Sequence, residues 1–210
     1  MGTRKESSAP AFNDATQWQS LLEGDRSAFA CIYQRHVRLL YNYGKQLSPD
    51  SEMIKDCIQD LFVNLWQKRD RLGKTDSIKY YLFKSLRRSI IKASTQQRKH
   101  ATEAARIVGE TVVFPYETTL VADEMRKQYR VQLTQSLKLL PARQREVLFL
   151  LYYEGLHYAQ VAEIMGINTR SVYTLTWKAI GSLRKEMLPL ATTLLSLVLV
   201  GSLIVGFLIF

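Results

Sequence analysis

The sequence has few cysteines, and they are not spaced as metal ligands or as a disulfide framework. The two that occur, Cys31 and Cys57, each fall on the apolar face of a predicted helix. We therefore expect buried free thiols, which suits a reducing compartment. The first 20 residues lack the apolar run of a signal peptide, and we expect residues 1–20 to be flexible.

The chain also lacks the residue clusters that catalysis and cofactor binding require. Its three histidines, His36, His100 and His157, are scattered along the sequence, and there is no glycine-rich phosphate loop. These absences predict a protein that is not an enzyme, with no catalytic residues and no metal or other cofactor.

Acidic residues are outnumbered by basic ones. Lysine and arginine total 29 against 19 aspartate and glutamate, which gives a net charge of +10 and a pI near 9.6. Such a balance favours polyanionic partners, either nucleic acid or anionic lipid, and charge alone does not choose between them.

Strand-like alternation is absent, whereas apolar residues recur at three- and four-residue steps. The pattern predicts an all-α fold of two small helical domains, residues 21–98 and 123–187, joined by a linker at 99–122. In the first domain, helices are expected from Asp25, from a cap at Ser51, and from near Asp76 or Ser77.

The stretch "YAQVAEIMGINTRSV" predicts a helix–turn–helix. Gly166 permits a left-handed turn, and Asn168 can cap the second helix. An ordinary corner between two helices is the alternative interpretation of this motif. As a DNA-reading element, it would present these residues to the major groove of duplex DNA: Asn168, Thr169, Arg170, Ser171, Tyr173, Thr174 and Lys178.

Between residues 77 and 102 there is no acidic residue, and cations alternate with aromatic rings. This combination suits an unstacked DNA strand, because cations follow the backbone while rings receive bases. A solvated basic face with its aromatics in the core is the alternative. The residues expected to bind such an unstacked strand are Lys79, Tyr80, Tyr81, Lys84, Arg87, Arg88 and Lys92.

Two helical units in this order resemble a sigma factor of the extracytoplasmic-function type, in the sigma-70 family. "DCIQDLFVNLWQKRDRL" and "SIKYYLFKSLRRSIIKASTQQRK" resemble region 2, and "LKLLPARQREVLFLLYYEGLHYAQVAEIMGINTRSVYTLTWKAIGSLRKEM" resembles region 4. The resemblance implies that region 2 opens the −10 element, that region 4 reads the −35 element, and that an anti-sigma factor is a further partner. It also implies a surface for core RNA polymerase formed by Asp56, Gln59, Asp60, Asn64 and Trp66.

The last 23 residues, 188–210, carry no charge and predict a transmembrane helix. A helix buried against a partner or in the protein's own core is the alternative. Arg184 and Lys185 precede the predicted transmembrane helix, which places that end in the cytoplasm by the positive-inside rule. The sequence therefore predicts a protein tail-anchored at the cytoplasmic face of the bacterial inner membrane.

Two other functions fit parts of the pattern. A helix–turn–helix regulator could bind duplex DNA without being a polymerase subunit. A membrane-tethered interaction protein could use its basic face to meet anionic lipid.

Overall fold

The computed structural model describes residues 13–100 and 124–187, with side chains for residues 13–97 and 131–187. These residues form helices without any strand, which confirms the predicted fold class for this part of the chain. The helices in chain order are α1 (Asp14–Leu22), α2 (Arg26–Leu47), α3 (Ser51–Gln67), α4 (Ile78–His100), α5 (Glu124–Leu139), α6 (Ala142–Leu148), α7 (Tyr158–Met165) and α8 (described over residues 169–187).

The first helical unit consists of α1 to α4, in which α2, α3 and α4 pack on one another. Its helices begin at polar side chains that accept backbone hydrogen bonds: Asp25 before α2, Asp50 before α3 and Ser77 before α4. The apolar stripes that meet in this unit are fully buried; they include Ile32, Leu40, Tyr43, Ile54, Leu65, Leu82, Leu86 and Ile90. Their burial is the main force that holds the three helices together.

The close approach of α2 and α3 depends on a glycine. A Cβ atom on Gly44 would lie 2.5 Å from the Cγ2 atom of Ile54. No side chain can be placed at that distance without displacing the partner helix. Gly44 therefore sets how deeply α3 packs against α2.

Helix α1 was not predicted, and most of it lies within residues 1–20, which were expected to be flexible. The side chain of Asn13 caps it, and both Trp18 and Leu21 are buried. The Trp18 indole Nε1 donates to the Gly73 carbonyl at 2.9 Å, and the Asp14 carboxylate accepts from the Ile78 backbone N–H at 2.9 Å. These contacts attach α1 to the start of α4.

The second unit contains the helix–turn–helix, formed by α7 and α8. Gly166 has φ +65°, and the Ile167 N–H donates to the Ala162 carbonyl at 3.0 Å. The Asn168 side chain accepts from the Ser171 N–H at 2.7 Å. The predicted left-handed turn and helix cap are therefore both confirmed.

A π-helical turn, Phe149–Tyr153, follows α6 where the sequence predicts a continuous helix to Gly155. It places Phe149 against the first unit: its ring lies 6.0 Å from that of Tyr43, which in turn stacks at 4.8 Å on Phe83. Helices α2 and α6 are in contact, and so are α4 and α7. The two units thus share one apolar core.

Two expectations about individual residues are wrong. The cap of α3 is Asp50, and Ser51 is the first helical residue. Cys31 is exposed, although both cysteines are free as expected. Phe83 is fully buried, which agrees with the alternative that aromatic residues of this helix lie in the core.

No helix within residues 13–100 and 124–187 is both long and apolar enough to cross a membrane. The segment predicted to span the membrane, 188–210, lies outside the described residues, as does 101–122 of the predicted linker. The beginning of that linker, residues 99 and 100, belongs to α4.

Candidate nucleic-acid interface

The basic face of α4 is formed by the residues predicted to bind the −10 strand, and much of it meets the second unit. Lys79 lies at the first turn of α4. Its ammonium group is 2.8 Å from a carboxylate oxygen of Glu154 and also donates to the Glu154 carbonyl at 2.8 Å. The Glu154 side chain is 2% exposed, so this ion pair is largely shielded from water.

Arg87 pairs with Glu146 in the middle of the same helix. Its Nε donates to one carboxylate oxygen at 2.7 Å, and an amino group lies 3.5 Å from the other. The Tyr43 hydroxyl donates to the same carboxylate at 2.8 Å. Burial lowers the pKa of Arg87, but the hydrogen bond and charge of Glu146 outweigh it and leave that pKa raised.

Tyr80 and Lys84 converge on Glu163 of α7. The Tyr80 hydroxyl and the Lys84 ammonium both donate to one carboxylate oxygen, the latter at 2.8 Å. The hydrogen bond from Lys84 is the main reason why the pKa of Glu163 is lowered, and the same bond raises the pKa of Lys84. Glu163 remains largely exposed, so its contact is the most accessible of the three.

The remaining residues predicted for the −10 strand have different surroundings. Arg88 and Lys92 are exposed to solvent. Tyr81 is partly buried, with its ring centroid 5.0 Å from that of Trp18 in an edge-on arrangement. Tyr81 therefore belongs to the packing between α1 and α4, whereas the two cations are accessible to a ligand.

The face of α8 predicted to read duplex DNA is largely open. Thr169, Arg170, Tyr173, Thr174 and Lys178 are exposed. The Tyr173 ring stacks on Tyr158 of α7 with centroids 4.1 Å apart, which fixes it against the preceding helix. The side chain of Asn168 and the backbone N–H of Ser171 are engaged in the helix cap, so these two residues position the start of α8.

Trp177 is a residue on this face that sequence reasoning missed. Its side chain is 78% exposed, the largest exposure among the described large apolar residues. It lies three residues after Thr174 and four after Tyr173, a spacing that puts all three on one side of a helix. That spacing was the signal from which it could have been identified.

The residues predicted to contact polymerase form a polar row on α3. Asp56, Gln59, Asp60 and Asn64 are exposed, and the Asn64 side chain donates to the Asp60 carbonyl at 2.7 Å. Trp66 differs, because it is partly buried and lies 4.5 Å below the Arg69 guanidinium. Gln59 of the row and Trp66 line the same groove between α2 and α3.

An apolar groove of about 840 Å³ between α2 and α3 was not predicted. Aromatic rings form its walls: Phe29 lies 5.2 Å from Trp66, and Tyr33 lies 4.8 Å from Phe62. Its polar members include Arg38 and the predicted polymerase-contacting Gln59. Tyr33 is 42% exposed and lines this groove.

Within the described part of the chain, no three histidine, cysteine or acidic side chains are grouped so as to hold a metal ion.

Family comparisons match both helical units. A model described as "Sigma-70 region 2" matches residues 32–100, and one described as "Sigma-70, region 4" matches residues 130–179. The first range contains the α3 row and the basic face of α4. The second contains the helix–turn–helix and the α8 face through Lys178.

Curated proteins with similar sequences cover most of the chain. It is 26% identical over 164 residues to the ECF RNA polymerase sigma factor SigL of Mycobacterium tuberculosis, which covers 77% of this chain and 90% of SigL. It is 25% identical over 171 residues to the ECF sigma factor SigK of Mycolicibacterium vanbaalenii, with 80% and 85% covered.

Two solved structures share the fold. One is the sigma factor RpoE of Bartonella quintana in complex with the anti-sigma factor NepR, with a TM-score of 0.59 at 20% identity over 76% of this chain and 96% of that one. The other is CnrH in complex with the cytosolic domain of CnrY, with a TM-score of 0.54 at 19% identity over 82% and 95%.

Proposed function

This chain belongs to the sigma-70 family, among the RNA polymerase sigma factors of the extracytoplasmic-function type, and we propose that it directs promoter-specific initiation by core RNA polymerase. In this role the first unit opens and holds the −10 element in the cytoplasm, and the second unit reads the −35 element. The polymerase carries out nucleotide addition, and this chain contributes no catalytic residue.

The observation that supports this role most strongly is that one chain carries two chemically different faces, each suited to a different form of DNA. On α4, the described side chains include closely spaced cations and no carboxylate, which suits a negatively charged single strand. On α8, Arg170, Thr174 and Lys178 are exposed along one side, as a major-groove helix requires. A regulator of duplex DNA alone needs only the second face.

Transcription in vitro tests the function directly. The chain is mixed with purified core polymerase and a library of duplex promoters. We expect transcripts from a restricted set of sequences, and none from core polymerase alone. Binding to duplex DNA without stimulated transcription would instead favour the regulator that acts without polymerase.

We propose that the polar row of α3 and the neighbouring groove form the polymerase surface. Asp56, Asp60 and Asn64 follow one another at four-residue intervals and so share a side of the helix. The aromatic groove beside them offers apolar area that a protein partner can bury, and buried aromatic contacts commonly dominate interface energetics.

The polymerase surface is tested by charge reversal. Asp56→Lys combined with Asp60→Lys should abolish co-purification with core polymerase while the helical circular-dichroism signal is retained. Asp70→Lys combined with Asp76→Lys is the matched control, because these two carboxylates are exposed but lie outside α3. Equal binding by both double variants would place the interface elsewhere.

An anti-sigma factor is a further proposed partner. One of the two structures with a similar fold, RpoE with NepR, is a sigma factor bound to an anti-sigma factor. Affinity capture with this chain from the cells that produce it should recover a protein that reduces transcription when added to the purified system. Captured proteins without this effect would argue against the partner.

We further propose that residues 188–210 anchor the factor to the membrane, on the evidence of their sequence. At ~1.5 Å per residue they would span roughly 34 Å as a helix, against a hydrocarbon core of about 30 Å. Arg184 and Lys185, just before this segment, are exposed. They can therefore stay in the aqueous phase at the cytoplasmic surface.

Fractionation tests the anchor. The full chain should sediment with membranes and resist extraction by carbonate and high salt. A chain stopped at Met187 should be soluble and should still support transcription in vitro. Recovery of the full chain wholly in the soluble fraction would contradict the anchor without affecting the proposed role in initiation.

A further inference from the structure

Three glutamates of the second unit occupy the basic face of α4, and we propose that they form an autoinhibitory latch that blocks −10 strand binding until the two units separate. The latch consists of Glu146, Glu154 and Glu163. This inference rests on the function proposed above, because it takes α4 as the surface that holds the opened strand.

The latch carboxylates form ion pairs with the α4 cations at the positions where phosphates of a DNA strand would bind. The Arg87 guanidinium reaches both oxygens of Glu146, at 2.7 and 3.5 Å. Two-point contact of this kind is also how arginine binds phosphate. Lys79 and Lys84 each lie 2.8 Å from a carboxylate oxygen. A phosphate cannot take the same positions until the carboxylates leave.

Two of the glutamates are buried in the closed form, so each requires its cation partner on α4. Glu146 is 3% exposed and Glu154 is 6% exposed. A carboxylate removed from water is strongly destabilising unless a cation and hydrogen bonds compensate it. Arg87 and Lys79 supply those cations, and Tyr43 adds a hydrogen bond to Glu146. When the units separate, water can solvate the carboxylates instead.

The latch is selective for one of the two DNA faces. None of its glutamates belongs to α8, and Arg170, Tyr173 and Lys178 remain exposed in the closed form. The groove between α2 and α3 is lined by residues of those two helices, and none of the latch glutamates lines it. Polymerase can therefore dock, and duplex DNA can be read, before the −10 face opens.

Binding to single-stranded DNA tests the latch. The probe is a fluorescent single strand of mixed sequence, measured by anisotropy with the full chain in detergent micelles. Glu154→Gln with Glu163→Gln should tighten binding on the order of tenfold, because the apparent affinity rises with the fraction of open molecules. Binding to mixed-sequence duplex DNA should change much less.

The matched control is Glu23→Gln with Glu52→Gln. It removes two exposed carboxylates outside the latch, and Glu52 pairs with Lys55 at 2.7 Å much as Glu163 pairs with Lys84. The control corrects for the general attraction of a more basic protein to DNA. Equal tightening by the control and by the latch variant would overturn the proposal.

The distance between the units is measured separately by electron spin resonance. Labels on Lys68→Cys and Arg143→Cys occupy exposed positions, in a Cys31→Ser background because Cys31 is exposed. The parent chain should give one narrow distance, and the latch variant a longer, broader distribution. Lys84→Glu alone, or Glu163→Lys alone, should also give a longer, broader distribution of distances. The two substitutions combined restore the ion pair and should restore the narrow distance.

A broad distribution of label distances in the parent chain would overturn the proposal that the closed state causes inhibition. An unchanged distance in the latch variant would overturn it as well. Neither outcome bears on whether core polymerase binds the chain. Conversely, loss of polymerase-dependent transcription would contradict the proposed function while leaving the measured distances in place.

Discussion

His36 is a buried histidine whose surroundings make folding sensitive to pH. It is 3% exposed, and its pKa is lowered from 6.5 to about 4, chiefly by burial. The negative charge of Asp14 opposes this shift, while Arg35 and Lys79 add to it. In the folded chain the imidazole is therefore neutral at pH values where an unfolded chain would protonate it.

We predict that the free energy of unfolding falls as the pH is lowered from 6.5 towards 4. In this window His36 is protonated in the unfolded chain but stays neutral in the folded chain, so a lower pH favours unfolding. The loss should be on the order of 1–3 kcal/mol, since one pKa unit is worth about 1.4 kcal/mol and the pKa of His36 falls from 6.5 in the unfolded chain to about 4 in the folded one. Urea denaturation at a series of pH values measures it.

His36→Gln should flatten this pH dependence, and His157→Gln should not, because His157 is exposed. An unchanged slope in His36→Gln would show that other groups cause the acid sensitivity.

Individual residues could be predicted from sequence where the signal was local. Gly166 and Asn168 were identified because a turn and a cap depend on their immediate neighbours. The cap of α3 was misplaced by one position, because Asp50 and Ser51 are adjacent and both can cap a helix. Cys31 was expected to be buried, and whether a helix face is covered depends on partners that a periodic pattern does not specify.

Among the elements, the crossing of α2 and α3 gives a prediction about packing. Gly44→Ala should destabilise the chain, because the new methyl group would collide with Ile54 near its backbone. Overpacking of this kind costs ~1–3 kcal/mol, which exceeds the ~1 kcal/mol that alanine contributes through helix propensity. Thermal or chemical denaturation measures the difference.

Gly181→Ala is the matched control for this substitution. Nothing lies within 4 Å of a Cβ atom at Gly181. Alanine should therefore stabilise α8 by ~0.5–1 kcal/mol. Destabilisation of similar size at both positions would argue against the steric explanation.

The exposed face of α8 gives a prediction about sequence recognition. Arg170→Ala should cost ~1–3 kcal/mol at one base position of the −35 element, if its guanidinium binds a guanine edge. Lys178→Ala should weaken binding to all sequences and lower the salt dependence, as expected for a phosphate contact. Binding to a panel of −35 duplexes at several salt concentrations separates the two effects, and equal losses on every sequence for both variants would contradict this assignment.

The helices themselves were largely predictable, and the exceptions have physical causes. Most were found because their apolar stripes recur at helical spacing and their ends carry caps. Helix α1 was missed because it is short and its burial comes from Trp18 and Leu21, which pack against other elements. The π-helical turn after α6 was missed because it alters the backbone without changing the apolar pattern.

For the whole molecule, Arg87 and Arg88 are neighbours with different roles in the closed and open forms. Arg88→Ala should slow promoter opening while leaving the closed form intact, because Arg88 is exposed. Arg87→Ala should also release the second unit, since it leaves Glu146 buried without its cation. Both should impair strand separation more on duplex promoters than on templates already mismatched around −10.

Permanganate reactivity of thymines measures this opening, and the distance between the two units measures release. Unchanged reactivity in the combined Arg87→Ala and Arg88→Ala variant would contradict a role for α4 in melting. An unchanged distance in Arg87→Ala would show that the Glu146 pair does not hold the units together.

The arrangement of the two units was the part of the structure least accessible to sequence reasoning. Glu146, Glu154 and Glu163 are scattered single carboxylates in the sequence. Only the docking of α6 on α2 and of α7 on α4 brings them to the cations of α4. That docking depends on side-chain shape across the shared core, which helical periodicity does not encode.

The stacked rings of Tyr43, Phe83 and Phe149 make the balance between the closed and open forms depend on temperature as well as on charge. Separation of the units exposes these rings to water, and exposure of apolar surface raises the heat capacity. Apolar contacts weaken on cooling, whereas the shielded ion pairs do not share that dependence. The apolar contribution to closure therefore falls in the cold, so that cooling shifts the balance towards the open form.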